Sequence, residues 1–282
     1  MAELVLNDEL VEAAVIGGAV LGGGGGGSMA WGRELAQLAV RMGIAHLVDI
    51  DDVDDKATLV TVSAVGAPAA KEAMVKPVGY VRAVQLLAEK ANIKADGLIT
   101  NECGGTATIN GWLQSALLGI PVVDAPCNGR AHPTGAMGSM GLHVKEGYVS
   151  YQAAAGGDPA KGRYLELVVQ GNIEQAAALV RQTAVQAGGL VAVARNPIDA
   201  GYVKRNGASG AVRQAITLGQ AMLEAQPKGG TAVVEAAAEV LGGNIVEIGP
   251  VERVALVTAG GFDSGQVMIG SFELAFWNEY MT

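Results

Sequence analysis

Ala13-Ala14-Val15-Ile16-Gly17-Gly18-Ala19-Val20-Leu21 runs directly into Gly22-Gly23-Gly24-Gly25-Gly26-Gly27-Ser28, six consecutive glycines followed by a hydroxyl. Ordering six glycines costs much conformational entropy, so a folded chain keeps them where the backbone must do something a Cβ forbids. The apolar run before them reads as a buried strand. Ser28 offers an N-cap, and Trp31, Leu35, Leu38 and Met42 recur at helical spacing until Gly43 ends the pattern. A strand, a glycine turn and a helix N-terminus make an anion site, because free N–H groups and the helix dipole face one point. Gly24, Gly25, Gly26, Gly27 and Ser28 are therefore candidate ligand-binding residues. A flexible linker is the alternative, but too few residues precede the run to form a domain. The Lys-Ser/Thr pair of a P-loop is missing, so phosphate and a substrate carboxylate both stay open as the anion.

Working outward, strands and helices alternate. Ile44–Asp52, Leu59–Val65, Gly97–Thr100 and Pro121–Asp124 read as buried strands, with helices over Val78–Asn92 and Ala107–Leu118. That alternation predicts an α/β fold, a mostly parallel sheet flanked by helices. Later segments differ. Leu142–Ala153 and Arg163–Gln170 suggest strands, antiparallel pairing being open to them, and Ile173–Gln186, Val212–Ala225 and Val233–Leu241 suggest helices. Ile245–Ile248, Val254–Val257, Gln266–Ile269 and Phe272–Glu279 read as strands, the last edge-like. The expected organisation is an α/β core with the glycine loop over residues 1–140 and a smaller, β-rich α+β part over 141–282.

The chain has 282 residues, half of them apolar and few aromatic, with a formal charge of −9. An acidic surface argues against nucleic acid or an anionic membrane as partner. Met1-Ala2-Glu3 lacks the basic start of a secretory signal, and two cysteines make no disulfide framework, so a cytoplasmic setting is expected. The apolar composition and an edge-like final strand lean towards a homo-oligomer.

Three strands end in polar side chains: Asp49, Asp51 and Asp52; Asn101 and Glu102; and Asp124. In an open parallel sheet the carboxyl ends of the strands face one crevice, where ligands bind. Asp49 and Asp51 serve equally well as helix caps or turn formers. Glu102 is a candidate general base or metal ligand, and Gly104-Gly105 after it permit close approach of a ligand. Asp124-Ala125-Pro126-Cys127-Asn128-Gly129-Arg130-Ala131-His132-Pro133 gathers an acid, a thiol, an amide, a guanidinium and an imidazole in ten residues. Asp124, Cys127, Asn128, Arg130 and His132 thus join the candidate site, Arg130 being suited to bidentate capture of a carboxylate or imide anion. Cys127 is a thiolate nucleophile if a nearby cation lowers its pKa, and otherwise a small buried hydrophobe; Cys103 faces the same choice. No HxH, HExxH or CxxC pattern occurs, so a divalent metal would need dispersed ligands and none is assigned.

The order of these motifs resembles the S-methyl-thiohydantoin desulfurase-domain family. The resemblance is carried by the glycine run with Trp31-Gly32-Arg33, Leu47-Val48-Asp49-Ile50-Asp51-Asp52, Val65-Gly66-Ala67-Pro68 and Asn101-Glu102-Cys103-Gly104-Gly105. It continues through Val123-Asp124, Gly129-Arg130-Ala131-His132-Pro133, Ser209-Gly210, Ala215-Ile216-Thr217-Leu218-Gly219, Gly261-Phe262 and Phe276-Trp277-Asn278-Glu279-Tyr280. It implies an α/β core with a smaller, mostly β segment. It also implies hydrolytic removal of sulfur from a thiohydantoin ring, a small anionic ligand, leaving a hydantoin. Members of that family usually continue beyond the Asn-Glu strand and carry small residues where this chain has Cys127-Asn128. Two other classes stay open: a cofactor-independent racemase using Cys103 and Cys127 as opposed acid and base, and a non-catalytic small-ligand-binding subunit.

Overall fold

The computed structural model describes residues 3–66, 72–132, 135–259 and 262–279. Ala67, Pro68, Pro133, Gly261 and Tyr280, which share in the family resemblance, lie outside the described residues. Four strands pair in parallel: β2 (Ala45–Asp49), β3 (Thr58–Gly66), β4 (Gly97–Thr100) and β5 (Val122–Asp124), in the spatial order β2-β5-β4-β3. Most of their inner residues are apolar and buried, as strands covered on both faces require, with Thr61 and Ser63 of β3 as buried polar exceptions. α3 (Pro77–Ala91) links β3 to β4, and α4 (Trp112–Leu118) links β4 to β5. β1 (Leu4–Leu6) adds an antiparallel edge beside β2. On the other side β8 (Leu190–Asp199) runs antiparallel to β3, β6 (Ser150–Gly156) antiparallel to β8, and β7 (Leu165–Gly171) antiparallel to β6. The result is one eight-stranded sheet, so residues beyond 141 complete a sheet begun by the first half. β9 (Val251–Ala259), β10 (Phe262–Ile269) and β11 (Phe272–Glu279) form a separate antiparallel sheet. The α/β expectation, with a smaller β-rich part, is met.

The stretch before the glycines is the main correction. Ala13–Leu21 is helix, not strand: α1 spans Asp8–Leu21. Its start signals lie upstream of the apolar run, where the Asn7 side chain accepts the Leu10 N–H at 3.3 Å and Asp8 and Glu9 occupy the first turn. An apolar run this continuous shows no polar face, and periodicity alone cannot tell such a helix from a buried strand, although Val20 stays exposed here. α1 packs on α7 (Ala211–Ala225) so closely that the Gly17 and Gly219 positions meet the backbone of Ala215 and Ala13, respectively. The glycine run therefore joins two helices, α1 and α2 (Met29–Met42), and the strand–glycine–helix phosphate turn does not exist here. Ser28 caps α2 as expected, accepting the Trp31 N–H at 3.2 Å.

Smaller departures follow from glycine and proline. The helix expected over Ala107–Leu118 is split by Gly111 at φ +95° into a 3-10 turn (Ala107–Ile109) and α4. The strand expected from Leu142 starts only at Ser150, after a 3-10 turn at Leu142–Val144, and Ile245–Ile248 forms no strand. The sequence reading assigns no element to 187–210, where the structure has β8 and α6 (Ala200–Asn206). α5 (Ile173–Gln186) and α8 (Gly230–Leu241) sit where expected.

One face of the sheet is buried by α2, α3 and α4, and α1 and α7 pack into the same core. α5 and α6 cover the other face, where Val180 and Ala184 of α5 meet Ala154, Val191 and Val193. This second face also carries Thr61, Arg195 and Gln152, which stand opposite one another on β3, β8 and β6. Among the described residues no helix is long and apolar enough to cross a membrane.

Candidate functional site

β4 ends at Thr100, whose hydroxyl donates to the Ala107 carbonyl at 2.6 Å and so fixes the loop Asn101–Thr106. The glycine run is knitted to that loop. The Gly26 carbonyl accepts the N–H groups of Thr106 (3.0 Å) and Ala107 (2.8 Å), and the Thr106 hydroxyl donates to the Ser28 carbonyl at 2.7 Å. Gly26 has φ +75°, and a Cβ there would lie 2.6 Å from Gly104 Cα, so two backbones meet where no side chain fits. Gly24 and Gly25 donate their N–H groups to Ala19 and Gly22 carbonyls, whereas those of Gly26 and Gly27 make no hydrogen bond among the described residues. The glycines thus reach the carboxyl rim of the sheet by packing on the β4 loop, not by following a strand.

Glu102 leads the site. Its side chain is 2 % exposed, and its Oε2 accepts the His132 backbone N–H at 3.0 Å, with His132 Nε2 at 3.2 Å. The Asn101 carbonyl also accepts from His132 Nε2, at 3.3 Å, so the ring carries its proton on that nitrogen. Burial pushes the Glu102 carboxyl up to about 7, opposed by the His132 N–H, the Arg195 charge and the Asn101 side chain. A carboxyl poised there can take and return a proton near neutral pH. The His132 ring lies over Gly138, where any Cβ would collide with it.

Asp124, the other acid at a strand end, has a different environment. It accepts the N–H groups of Val212 (2.8 Å) and Arg213 (3.1 Å), with Arg213 Nε at 3.5 Å, and so caps the first turn of α7. Burial raises its pKa, while those two N–H groups and Arg213 oppose the rise. Asp49 caps the 3-10 turn Ile50–Asp52 by accepting the Asp51 N–H, and Asp51 is exposed.

Both thiols are buried. Cys127 Sγ lies 3.3 Å from Thr61 Oγ1, and burial pushes its pKa up to about 11; Cys103 is pushed to about 12, burial again leading. Neither is a thiolate at neutral pH. Asn128 is half-buried and accepts the Arg130 N–H, whereas the Arg130 side chain is exposed and donates from Nε to the Ala131 carbonyl. Among the described residues no three His, Cys, Asp or Glu side chains gather as a metal site. An open groove of about 550 Å³, lined by Thr58, Asn92, Lys94, Asp96 and Asp199, lies at the opposite end of β3 and β4 from Glu102.

Sequence reading missed Arg195. It sits in mid-sheet on β8, 5 % exposed, and its charge acts on both Glu102 and Cys127. Its guanidinium makes no hydrogen bond or ion pair with any described residue, and its Nε is fully buried. A Cβ on Gly135 would lie 3.5 Å from its Nη1. The available signal was a charged residue ending the apolar run Leu190–Ala194 just before Asn196-Pro197.

A model of the S-Me-THD-like N-terminal domain matches residues 9–160, and one of the S-Me-THD-like C-terminal domain matches residues 171–282. The chain belongs to the S-Me-THD-like family. The resemblance carried by the motifs is borne out. No curated protein matches the chain. An X-ray crystal structure of a protein from Chromobacterium violaceum shares the S-Me-THD-like chain's fold with a TM-score of 0.71 at 23 % identity, over 98 % of this chain and 78 % of that one.

Proposed function

We propose that the chain is a hydrolase of small thiohydantoin- or hydantoin-type rings, with Glu102 as its general base. The family name suggests the substrate class. The observation that carries the chemistry is the buried Glu102 carboxyl, raised to about 7 and hydrogen-bonded to His132. Ionised Glu102 takes a proton from water as the water oxygen bonds to the thiocarbonyl carbon. Negative charge then builds on sulfur, and the N–H groups of Gly26 and Gly27, unbonded among the described residues, are the candidate donors to it. Collapse of the adduct breaks the carbon–sulfur bond. Both protons of the water leave on sulfur as hydrogen sulfide, one through Glu102, and the ring keeps oxygen as a hydantoin.

Asp124 has a capping role that accounts for its burial, so Glu102 is the stronger base candidate. The two-cysteine racemase reading is weakened, since both thiols stay protonated and neither can act as the base. Sulfide release from a 2-thiohydantoin acid, followed for the wild type and Glu102→Gln, tests the reading. Turnover should fall by about 10²–10⁴-fold in the variant, the usual contribution of acid–base catalysis. A variant that turns over at the wild-type rate removes Glu102 from the mechanism. Tight binding with no turnover in the wild type returns the chain to the class of non-catalytic binding subunits.

A further inference from the structure

Three buried polar atoms on the second face of the sheet have no hydrogen-bond partner among the described residues: Arg195 Nε, Gln152 Oε1 and Ser63 Oγ. Their placement is not scattered. Arg195 on β8 stands opposite Thr61 on β3 and Gln152 on β6, and Ser63 is two residues along β3 from Thr61 on the same face. Cys127 touches Thr61, and Glu102 and Cys127 both feel the Arg195 charge, so this row lies beside the proposed base. Gln152 is oriented by its own neighbours: its Nε2 donates to the Ser150 hydroxyl at 3.1 Å, and that hydroxyl donates to Asn196 Oδ1 at 2.7 Å. Asn196 sits at φ +54°, a strained backbone for a residue with a side chain, next to the register shift of β8 against β3. The amide is thereby held with its oxygen, not its nitrogen, available.

A buried guanidinium with no acceptor destabilises a folded chain, and an apolar residue of similar length would be more stable there. Glu102 and Cys127 act on its charge from a distance, but neither side chain hydrogen-bonds or ion-pairs with the guanidinium, so its donors stay unmatched among the described residues. Such a charge fits a ligand that brings the missing acceptors. We propose that Arg195 and Gln152 seat a delocalised anion with two in-plane acceptor atoms and an adjacent N–H, the acceptors on the guanidinium fork and the N–H on Gln152 Oε1. A deprotonated cyclic imide or thioimide has that shape, and a carboxylate next to an amide has it too. This rests on the hydrolase reading and deepens it, placing the ring anion on Arg195 rather than on the exposed Arg130. Gly135 lies beside the guanidinium, where a Cβ would sit 3.5 Å from Nη1 and 3.3 Å from Ala177 Cβ.

The test uses the full chain with three probes: a 2-thiohydantoin bearing a carboxylate side chain, the same ring without the carboxylate, and glutarate. Binding is measured by calorimetry and by shift of the unfolding midpoint for the wild type, Arg195→Met, Arg195→Lys and Glu102→Gln. Arg195→Met should raise the midpoint of the ligand-free protein and weaken binding by about 10–100-fold, the worth of a charge-assisted bidentate contact. Arg195→Lys keeps the charge but loses the fork, and should fall between the two. Glu102→Gln should still bind the probes with the same dependence on Arg195 while releasing sulfide about 10²–10⁴-fold more slowly. Dependence on Arg195 for the plain ring assigns the anion to the imide, and dependence only for probes with a carboxylate assigns it to that group. A lowered midpoint in Arg195→Met, or no Arg195-dependent binding of any probe, overturns the proposal. Arg195-dependent binding without sulfide release in the wild type keeps the anion seat and removes the hydrolase reading. Sulfide release and binding untouched by Arg195→Met do the reverse.

Discussion

The loop after β4 and the loop after β5 each begin with a buried carboxyl at the carboxyl end of a parallel strand, yet the two acids live differently. Asp124 is met by two backbone N–H groups of α7 and by Arg213, so the fold itself uses its charge. Glu102 is met by neutral donors, His132 and the Asn101 side chain, and Arg195 beside it makes no direct contact. Position on the rim therefore does not decide which acid can do chemistry. What differs is the kind of donor: the start of a helix and a guanidinium in ion-pair contact oppose loss of the Asp124 charge, whereas the neutral donors of Glu102 leave its carboxyl raised to about 7.

The sharpest way to break this contrast is to neutralise each acid in turn. Glu102→Gln should lose turnover by the factor given above while unfolding near the wild-type midpoint. Asp124→Ala should do the opposite, costing about 3 kcal/mol of stability through lost charge-assisted bonds at the start of α7. Its turnover per folded molecule should exceed that of Glu102→Gln. Denaturant unfolding together with sulfide release measures both. An Asp124 variant that folds normally and is inactive would exchange the two roles.

The pH dependence sharpens the same contrast. The Glu102 pKa is raised from 4.5 to about 7 in the folded chain, so the folded state holds its proton to higher pH than the unfolded one. That contribution to stability is full below pH 4.5 and is lost as pH rises through about 7, with a ceiling of about 3 kcal/mol. Activity runs the other way, since the base must be ionised: turnover should rise with pH through about 7. Glu102→Gln should flatten the stability profile over that window, and an unchanged profile would mean that another group titrates there.

How much of this was legible in the sequence depends on distance along the chain. β2, β3, β4 and β5 are apolar runs bounded by glycine, proline and acids, and each was readable locally, as were the polar residues at their ends. α1 was not, because its all-round apolar pattern is set by burial against α7, some 200 residues away, and only Asn7-Asp8-Glu9 marks its start. β8 was passed over because Arg195-Asn196-Pro197 looks unlike a central strand, and only pairing with β3 and β6 makes it one. Asp124 could be picked out as an acid at a strand end, but its helix partner begins 87 residues later. For the same reason Glu102 and His132 were both named as candidates, while their contact was visible only in three dimensions.

Cys127 and Cys103 belong to the same two loops and offer a smaller effect. With both thiols protonated, Cys127→Ser should change turnover by less than about tenfold, well below an acid–base role, and cost about 1–3 kcal/mol for a buried hydroxyl. A collapse of activity at either cysteine, in correctly folded protein, would restore the two-base scheme.

The smallest effect tests how the glycine run serves the β4 loop. Gly24 has φ +91° with open space where a Cβ would go, so Gly24→Ala meets backbone strain alone, about 1–2 kcal/mol. Gly26 carries a similar φ, but its Cβ would press on Gly104 Cα and the Cys103 carbonyl, at 2.6 and 3.0 Å. Gly26→Ala should therefore cost about 1–3 kcal/mol more than Gly24→Ala. Because Gly26 holds Thr106 and Ala107, the displacement passes into Asn101–Gly105 and should lower turnover as well as the midpoint. Equal costs at the two positions would mean that the glycines serve the turn's own geometry and do not position Glu102.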